Sequence, residues 1–194
     1  MHINSDILIL FIWTCISTLW VVIYVKDAIK GKTKPHSFTW FIWALIQSIA
    51  FGIQITHEGG VGSFIMFWYA LNAAIIFFIS LKYAQSTVSR SDYVFLWLAL
   101  FAIALWLIFD APLISVLLLI LIDILAYIPT VRKSYHTPDE ETLLLYFTGN
   151  IGLISSLLTL DLWSFVNYGY PLCITLLNFM FIWYVLLRRK ILQK

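Results

Sequence analysis

Charge is what this chain lacks most. Asp and Glu number 10 and Lys and Arg 12 among 194 residues, 11% in all, where a soluble domain carries about 25%. That scarcity excludes a protein whose whole surface faces water. The net charge is only +2, and the basic residues lie in short connections rather than in one patch, so nucleic acid is excluded as a partner. Cysteine is scarce too. Cys15 and Cys173 both lie in apolar runs, which fits neither a disulfide framework nor a metal site. His2, His36, His57 and His136 fall at both ends of the apolar segments, so no metal cluster is expected. Nucleotide loops, nucleophile elbows and H-E-x-x-H are missing. Neither an enzyme nor a cofactor is therefore expected. Met1 to Asp6 has no basic flank, and no small-residue cleavage site follows; the first apolar segment is expected to be retained rather than cleaved as a signal peptide.

Apolar residues are abundant: 62% of the chain, with a mean hydropathy of +0.93. A spanning helix needs about 20 mostly apolar residues. Seven segments qualify, at roughly 5–25, 37–56, 61–82, 93–109, 112–131, 141–160 and 169–188. The fold class expected is an all-α integral membrane protein of seven transmembrane helices, with no separate soluble domain.

All twelve Lys and Arg lie at one end of these segments: Lys26 to Lys34, Lys82 and Arg90, Arg132 and Lys133, and Arg188 to Lys194. The opposite connections carry Glu58, Asp110 and Asp161. The bias of basic residues towards the cytoplasm puts the N-terminus outside and the C-terminus inside.

The chain also contains an internal echo. Pro35 to Gln47 (PHSFTWFIWALIQ) corresponds to Pro138 to Asn150 (PDEETLLLYFTGN) at a shift of 103 positions. Tyr24 then meets Tyr127, Lys30 meets Lys133, Thr39 meets Thr142, Trp43 meets Tyr146 and Gln47 meets Asn150. Asn72 and Asn178 correspond at a shift of 106. The units expected are a first triple-helix bundle (1–84), a linker span (85–111) and a second bundle (112–194). An odd linker restores direction, so the repeats are parallel.

Polar residues in hydrocarbon face the bundle interior or a wet cavity. Thr39, Trp43 and Gln47 share one helix face at i, i+4 and i+8, and Thr142, Tyr146 and Asn150 are expected to share another. With Asn72 and Asn178 the four carboxamides form two pairs, offering donors and acceptors beside aromatic rings. Such a lining suits an uncharged polar solute. As single residues, the same amides would serve as glue between helices. Asp123, alone in LLLILIDILAYIP, is a costly intramembrane acid and a candidate for proton coupling. Pro129 is expected to interrupt the end of its helix and act as a hinge.

A 3+1+3 plan, proline-headed repeats and paired asparagines in the third and seventh spans resemble the SWEET/PQ-loop superfamily over nearly the whole chain. Asn72 and Asn178 stand where that family places the asparagines of its sugar pocket. Trp40, Trp43 and Gln47 spell a W-x-x-W-x-x-x-Q pattern similar to that of PnuC vitamin transporters. Pro35-His36 and Pro138-Asp139 replace the Pro-Gln dipeptide, and the second PnuC motif, Y-x-x-G-Y-x-x-W, is missing.

The resemblance implies a multi-pass facilitator of a bacterial inner membrane, working by alternating access on a sugar or a vitamin or nucleoside. Its partners would be the lipid bilayer and that solute, and a homo-oligomer is compatible with it. The alternative is a non-transporting receptor, as the KDEL receptor has a similar fold, or an assembly subunit. The receptor would want cations in its cavity, and this chain keeps Lys and Arg at the helix ends.

Overall fold

The computed structural model describes residues 3–83 and 111–192, with residues 90, 93, 94, 96, 97, 100 and 108 between them. The described chain is helical, with no strand among the described residues: α1 (Ile3–Ile29), α2 (Ser37–Thr56), α3 (Ser63–Tyr83), α4 (Pro112–His136), α5 (Leu143–Leu158) and α6 (Phe165–Leu192), with a short 3-10 turn at Pro138–Glu140. Five of the six helices are long and apolar enough to cross a membrane. The expected fourth span, 93–109, and with it the linker unit, lies outside the described residues apart from isolated positions. Of these, Tyr93 sets its ring edge-on to Phe38 at the start of α2, 5.2 Å between centroids.

The second expected span matches α2 at both ends, and the others differ at their boundaries. α5 has 16 residues, about 24 Å at 1.5 Å per residue, where 141–160 was expected. Pro138 starts a 3-10 turn and Glu141 is extended and held by ion pairs, so the α-helix begins only at Leu143. Thr142 is therefore the residue before the helix, and its hydroxyl meets that of Thr33 instead of sharing a helix face with Tyr146 and Asn150. Pro129 does not end its helix; α4 runs through it to His136.

Packing has a regular pattern. α3 lies between α1 and α2, and α6 lies between α4 and α5, while the backbones of α1 and α2, and of α4 and α5, stay apart, α1 and α2 meeting through the rings of Tyr24 and Trp40. Across the molecule α1 packs on α5 and α2 on α4, with lighter contacts of α2 on α6 and α3 on α5. The buried face of α2 runs Thr39, Trp43, Ile46, Gln47, Ala50, Ile53 and Gln54, the i, i+4, i+7 stripe of a helix with one inward side.

One proline strengthens that crossing. A proline has no N–H, so the carbonyl four residues before it loses its intrahelical partner. Pro171 in α6 frees the Asn167 carbonyl, which accepts from Gln54 Nε2 at 2.8 Å. Towards the other end of α2, Thr39 Oγ1 donates to the Ala126 carbonyl of α4 at 3.0 Å. α2 is thus tied near both of its ends to helices of the other half.

Candidate functional site

A cavity of about 70 Å³ lies inside this crossing. Each wall supplies side chains at helical spacing. α1 brings Trp13, Ser17 and Val21, and α2 brings Trp40, Trp43 and Gln47. α3 brings Tyr69, Asn72, Ala73 and Ile76, and α4 brings Asp123 and Tyr127. α5 and α6 close it with Leu145, Tyr146, Thr148, Gly149, Ile174 and Asn178.

Trp40, Trp43, Gln47, Asn72, Asp123, Tyr146 and Asn178, all named from sequence, line this one space. Asn150 does not. It is 1% exposed and lies behind the wall, giving Nδ2 to the Thr175 carbonyl at 3.2 Å and accepting from Asn178 Nδ2 at 2.9 Å. Tyr127 donates its hydroxyl to Asn178 Oδ1. The two carboxamide pairs are therefore unequal. Asn178 and Asn150 are engaged with each other, whereas Gln47 Oε1 is buried and has no partner. The cause is the neighbour: the Thr175 carbonyl on α6 offers Asn150 a partner in the packing.

Polar atoms without partners gather at the cavity. Trp13 Nε1, Trp43 Nε1, Gln47 Oε1 and both oxygens of Asp123 are buried without a hydrogen bond of good geometry in the protein, although the Trp43 indole lies near enough to Asp123 to act on it as a donor. Buried polar groups are satisfied in the great majority of cases, and leaving one unmade costs about 1–3 kcal/mol. Two donors and two acceptor groups around one small space therefore suit a polar guest. Aromatic rings make up the rest of the wall: Trp40 and Trp43 meet edge-to-face at 5.0 Å, Trp43 and Tyr127 at 5.1 Å, and Trp13 stacks on Tyr69 at 5.2 Å. Trp13 lies so close to Gly152 that a Cβ there would fall 2.0 Å from the indole; only glycine admits the ring.

Contacts between the elements join the bundle at both ends of the cavity. Where α1 joins α2 and α4 joins α5, Lys34 pairs with Glu140 at 2.7 Å. Lys133 bonds both Glu141 and the Lys34 carbonyl. Arg189 holds the Pro138 carbonyl at 2.9 Å and the Glu141 carbonyl at 2.6 Å. Glu141 is 4% exposed, and burial raises its pKa against the opposing pull of Lys133. Partial burial also works against ionisation of Glu140, but the hydrogen bond and charge of Lys34 outweigh it and lower its pKa. Tyr146 connects this cluster to the cavity wall, its hydroxyl 3.4 Å from Glu141 Oε2.

At the opposite end the bonds are neutral. Asn167 Nδ2 donates to the carbonyls of His57 (2.8 Å) and Leu162 (3.0 Å), and Ser156 Oγ to that of Gly62 (3.0 Å).

Sequence reasoning missed Trp13, Ser17, Val21, Tyr69 and Tyr127. Trp13, Ser17 and Val21 carry the same i, i+4, i+8 signature as Thr39, Trp43 and Gln47, and Tyr69 precedes Asn72 by one turn. Tyr127 entered the repeat alignment but was not followed into the site. Among the described residues no group of His, Cys, Asp and Glu could hold a metal ion.

No protein-family model, curated protein or solved structure matches this chain. The class rests on the helices themselves: an all-α protein with several helices suited to multiple membrane crossings.

Proposed function

We propose that this chain is a small-solute transporter of a bacterial inner membrane that works by alternating access. In this reading it spans the bilayer seven times, N-terminus outside and C-terminus inside. Helices α1–α3 and α4–α6 form two parallel triple-helix units joined by a linker span, and Pro129 serves as a hinge. The paired packing supports the repeat: every pair of packed helices has its counterpart when α1, α2 and α3 are exchanged for α4, α5 and α6, and only the contacts of the 3-10 turn stand outside the pattern. The basic residues at one end support the orientation.

The observation that carries the function is the cavity. It lies at the crossing of the two halves, holds buried polar atoms without well-formed hydrogen bonds, and has a separate set of contacts joining the halves beyond each of its ends. Alternating access requires such a space, reached from one side at a time, with repeats that rock around it. A cavity of about 70 Å³ is far below the roughly 300–1,000 Å³ of sites that hold drug-sized ligands, so the structure corresponds to a shut form that widens to take its solute.

Uptake by proteoliposomes containing the purified protein tests the reading, with a panel of sugars, nucleosides, vitamins and small charged metabolites. Gln47→Leu removes a polar group that nothing in the protein uses. The expected result is uptake of at least one solute by the wild-type chain and its loss in the variant. Uptake of none would sink the transporter reading.

A further inference from the structure

A groove of about 650 Å³ runs between α4 and α6 on the side away from the central cavity, and Ile124, Tyr135 and Met180 on its rim are exposed. Its walls follow the helical period: Ile124, Ile128, Val131 and Tyr135 on α4 face Leu177, Phe181 and Tyr184 on α6. Exposed apolar side chains are ordinary on a helix that meets hydrocarbon; the concave shape sets this stretch apart.

The groove has two unlike ends. Around Ile124, Ile128 and Leu177 it is apolar, while Arg132 and His136 line the other end, with no acid among the described lining residues. Arg188 stands beside them, its guanidinium carbon 3.9 Å from the Tyr135 ring centroid and its Nη2 donating to the Tyr135 carbonyl at 3.0 Å. Arg188 Nε is buried without a hydrogen bond. The acids of this end, Asp139, Glu140 and Glu141, pair with Arg189, Lys34 and Lys133. From Ile124 to His136 is about 18 Å along the axis, close to the roughly 15 Å of hydrocarbon in one leaflet. Tyr135 and Tyr184 lie at the basic end, where interfacial tyrosines sit in membrane helices. An apolar slot one leaflet long with a basic head suits a lipid with a negative headgroup, which basic pockets between spanning helices bind on the cytoplasmic side.

We propose that this groove docks an anionic phospholipid from the leaflet at the basic end. Its phosphate lies against Arg132, His136 and Arg188, and one acyl chain runs past Val131 and Met180 towards Ile124. That chain touches Phe181, whose ring packs on Tyr127 and Tyr146 with centroids 5.5 and 4.8 Å away. The lipid and the central cavity thus share a wall. The inference needs α4 and α6 to cross the bilayer and nothing of the transporter reading.

Native mass spectrometry of the full-length protein in detergent tests it. Phosphatidylglycerol is compared with phosphatidylcholine of the same acyl chains, and with glycerol 3-phosphate, which has the charge and no chain. The expected result is one saturable phosphatidylglycerol adduct, held about fivefold or more tightly than phosphatidylcholine, and none with glycerol 3-phosphate. Fivefold corresponds to the gain of about 1 kcal/mol per basic residue near an anionic surface. Arg132→Gln should remove most of that preference. Met180→Trp, which fills the groove from an exposed position, should weaken both lipids. The lipid comparison uses only the wild-type chain, so a variant that folds poorly cannot obscure it. Equal affinity for the two lipids, glycerol 3-phosphate bound as tightly as the lipid, or a preference that survives Arg132→Gln overturns the inference. Lipid binding untouched by Met180→Trp overturns it too, as does a protein dimer that Met180→Trp abolishes, which gives the groove to a second copy.

Discussion

Beyond the two ends of the cavity the halves are joined by different chemistry and to different depths. At the basic end the barrier is ionic and thin. Trp40, already part of the cavity wall, is three residues from the start of α2, about 5 Å along the axis. Beyond it lie Lys34, Lys133, Arg189 and the acids at 139–141. At the other end Gln54 is seven residues past Gln47, about 10 Å, and the interval is filled by buried Ile53, Met66, Leu119, Leu153 and Tyr170. Opening the basic end breaks ion pairs and moves few apolar side chains. Opening the other unpacks a hydrophobic plug and then a layer of amide hydrogen bonds. The ionic end is the one that salt and pH can reach.

Five experiments break or sharpen that contrast. The largest effect is expected from Lys133→Ala, which strips Glu141 of its ion pair while the acid stays buried. Breaking a buried pair costs about 3–5 kcal/mol, read as a fall in Tm of the detergent-purified protein; a loss near zero would show that Glu141 does not depend on Lys133.

Asn167→Leu attacks the neutral end. It removes two donated bonds and leaves the His57 and Leu162 carbonyls unpaired, for about 1–3 kcal/mol. Unlike the first variant, its cost should not change between low and high salt.

Gly60→Ala should cost about 1–3 kcal/mol as a strained backbone position. Gly60 has φ of 64°, and an added Cβ would lie 2.4 Å from Asp161 Oδ2. The Tm of the variant measures the cost, and a neutral result would mean that the turn at 57–62 can move away from Asp161.

The smallest effect belongs to the exposed pair. Lys34 and Glu140 are 39% and 26% exposed in their side chains, and a double-mutant cycle should give at most about 1 kcal/mol, reduced by salt. The two neighbouring acids should respond to pH with opposite signs. Glu140 has a lowered pKa in the folded protein; its stabilising contribution is present above its unfolded value and is lost as pH falls through the folded one. Glu141 has a raised pKa; its contribution is full below the unfolded value and is lost as pH rises through the folded one. Tm–pH curves of Glu140→Gln and Glu141→Gln should therefore diverge from the wild type in opposite directions. Parallel curves would remove the distinction between the two acids.

Asn178→Leu, an obvious choice from the sequence, is a poor probe of the pocket. It would leave Tyr127 and Asn150 with unmet hydrogen bonds, so lost activity could reflect lost stability. Gln47→Leu is cleaner because nothing in the protein uses its oxygen.

Much of the site was legible because helical geometry is local. Trp40, Trp43 and Gln47 reached one space because α2 starts and stops where its apolar run does. Asp123 was conspicuous as the single acid in its run. Trp13 carried only a weak signal, since a tryptophan in an apolar span is as much at home facing lipid; its place depends on Gly152, far along the chain. Asn150 was misjudged for the same reason. Spacing put it on the cavity face, but its partners are the Thr175 carbonyl and Asn178.

Composition and the period of the apolar residues were enough to determine an all-helical chain with spans suited to a bilayer, the basic end and most of the polar inward face. These follow from the backbone's need for internal hydrogen bonds in hydrocarbon and from the 3.6-residue turn. Which helices touch, which amides are engaged and which polar atoms lack partners were decided only by tertiary packing. The carbonyl freed by Pro171 and the Ala126 carbonyl find donors on α2, and Lys133 reaches back across the fold to the Lys34 carbonyl. Those partners lie roughly 90 to 110 residues apart in sequence, a separation across which neither period nor spacing carries information.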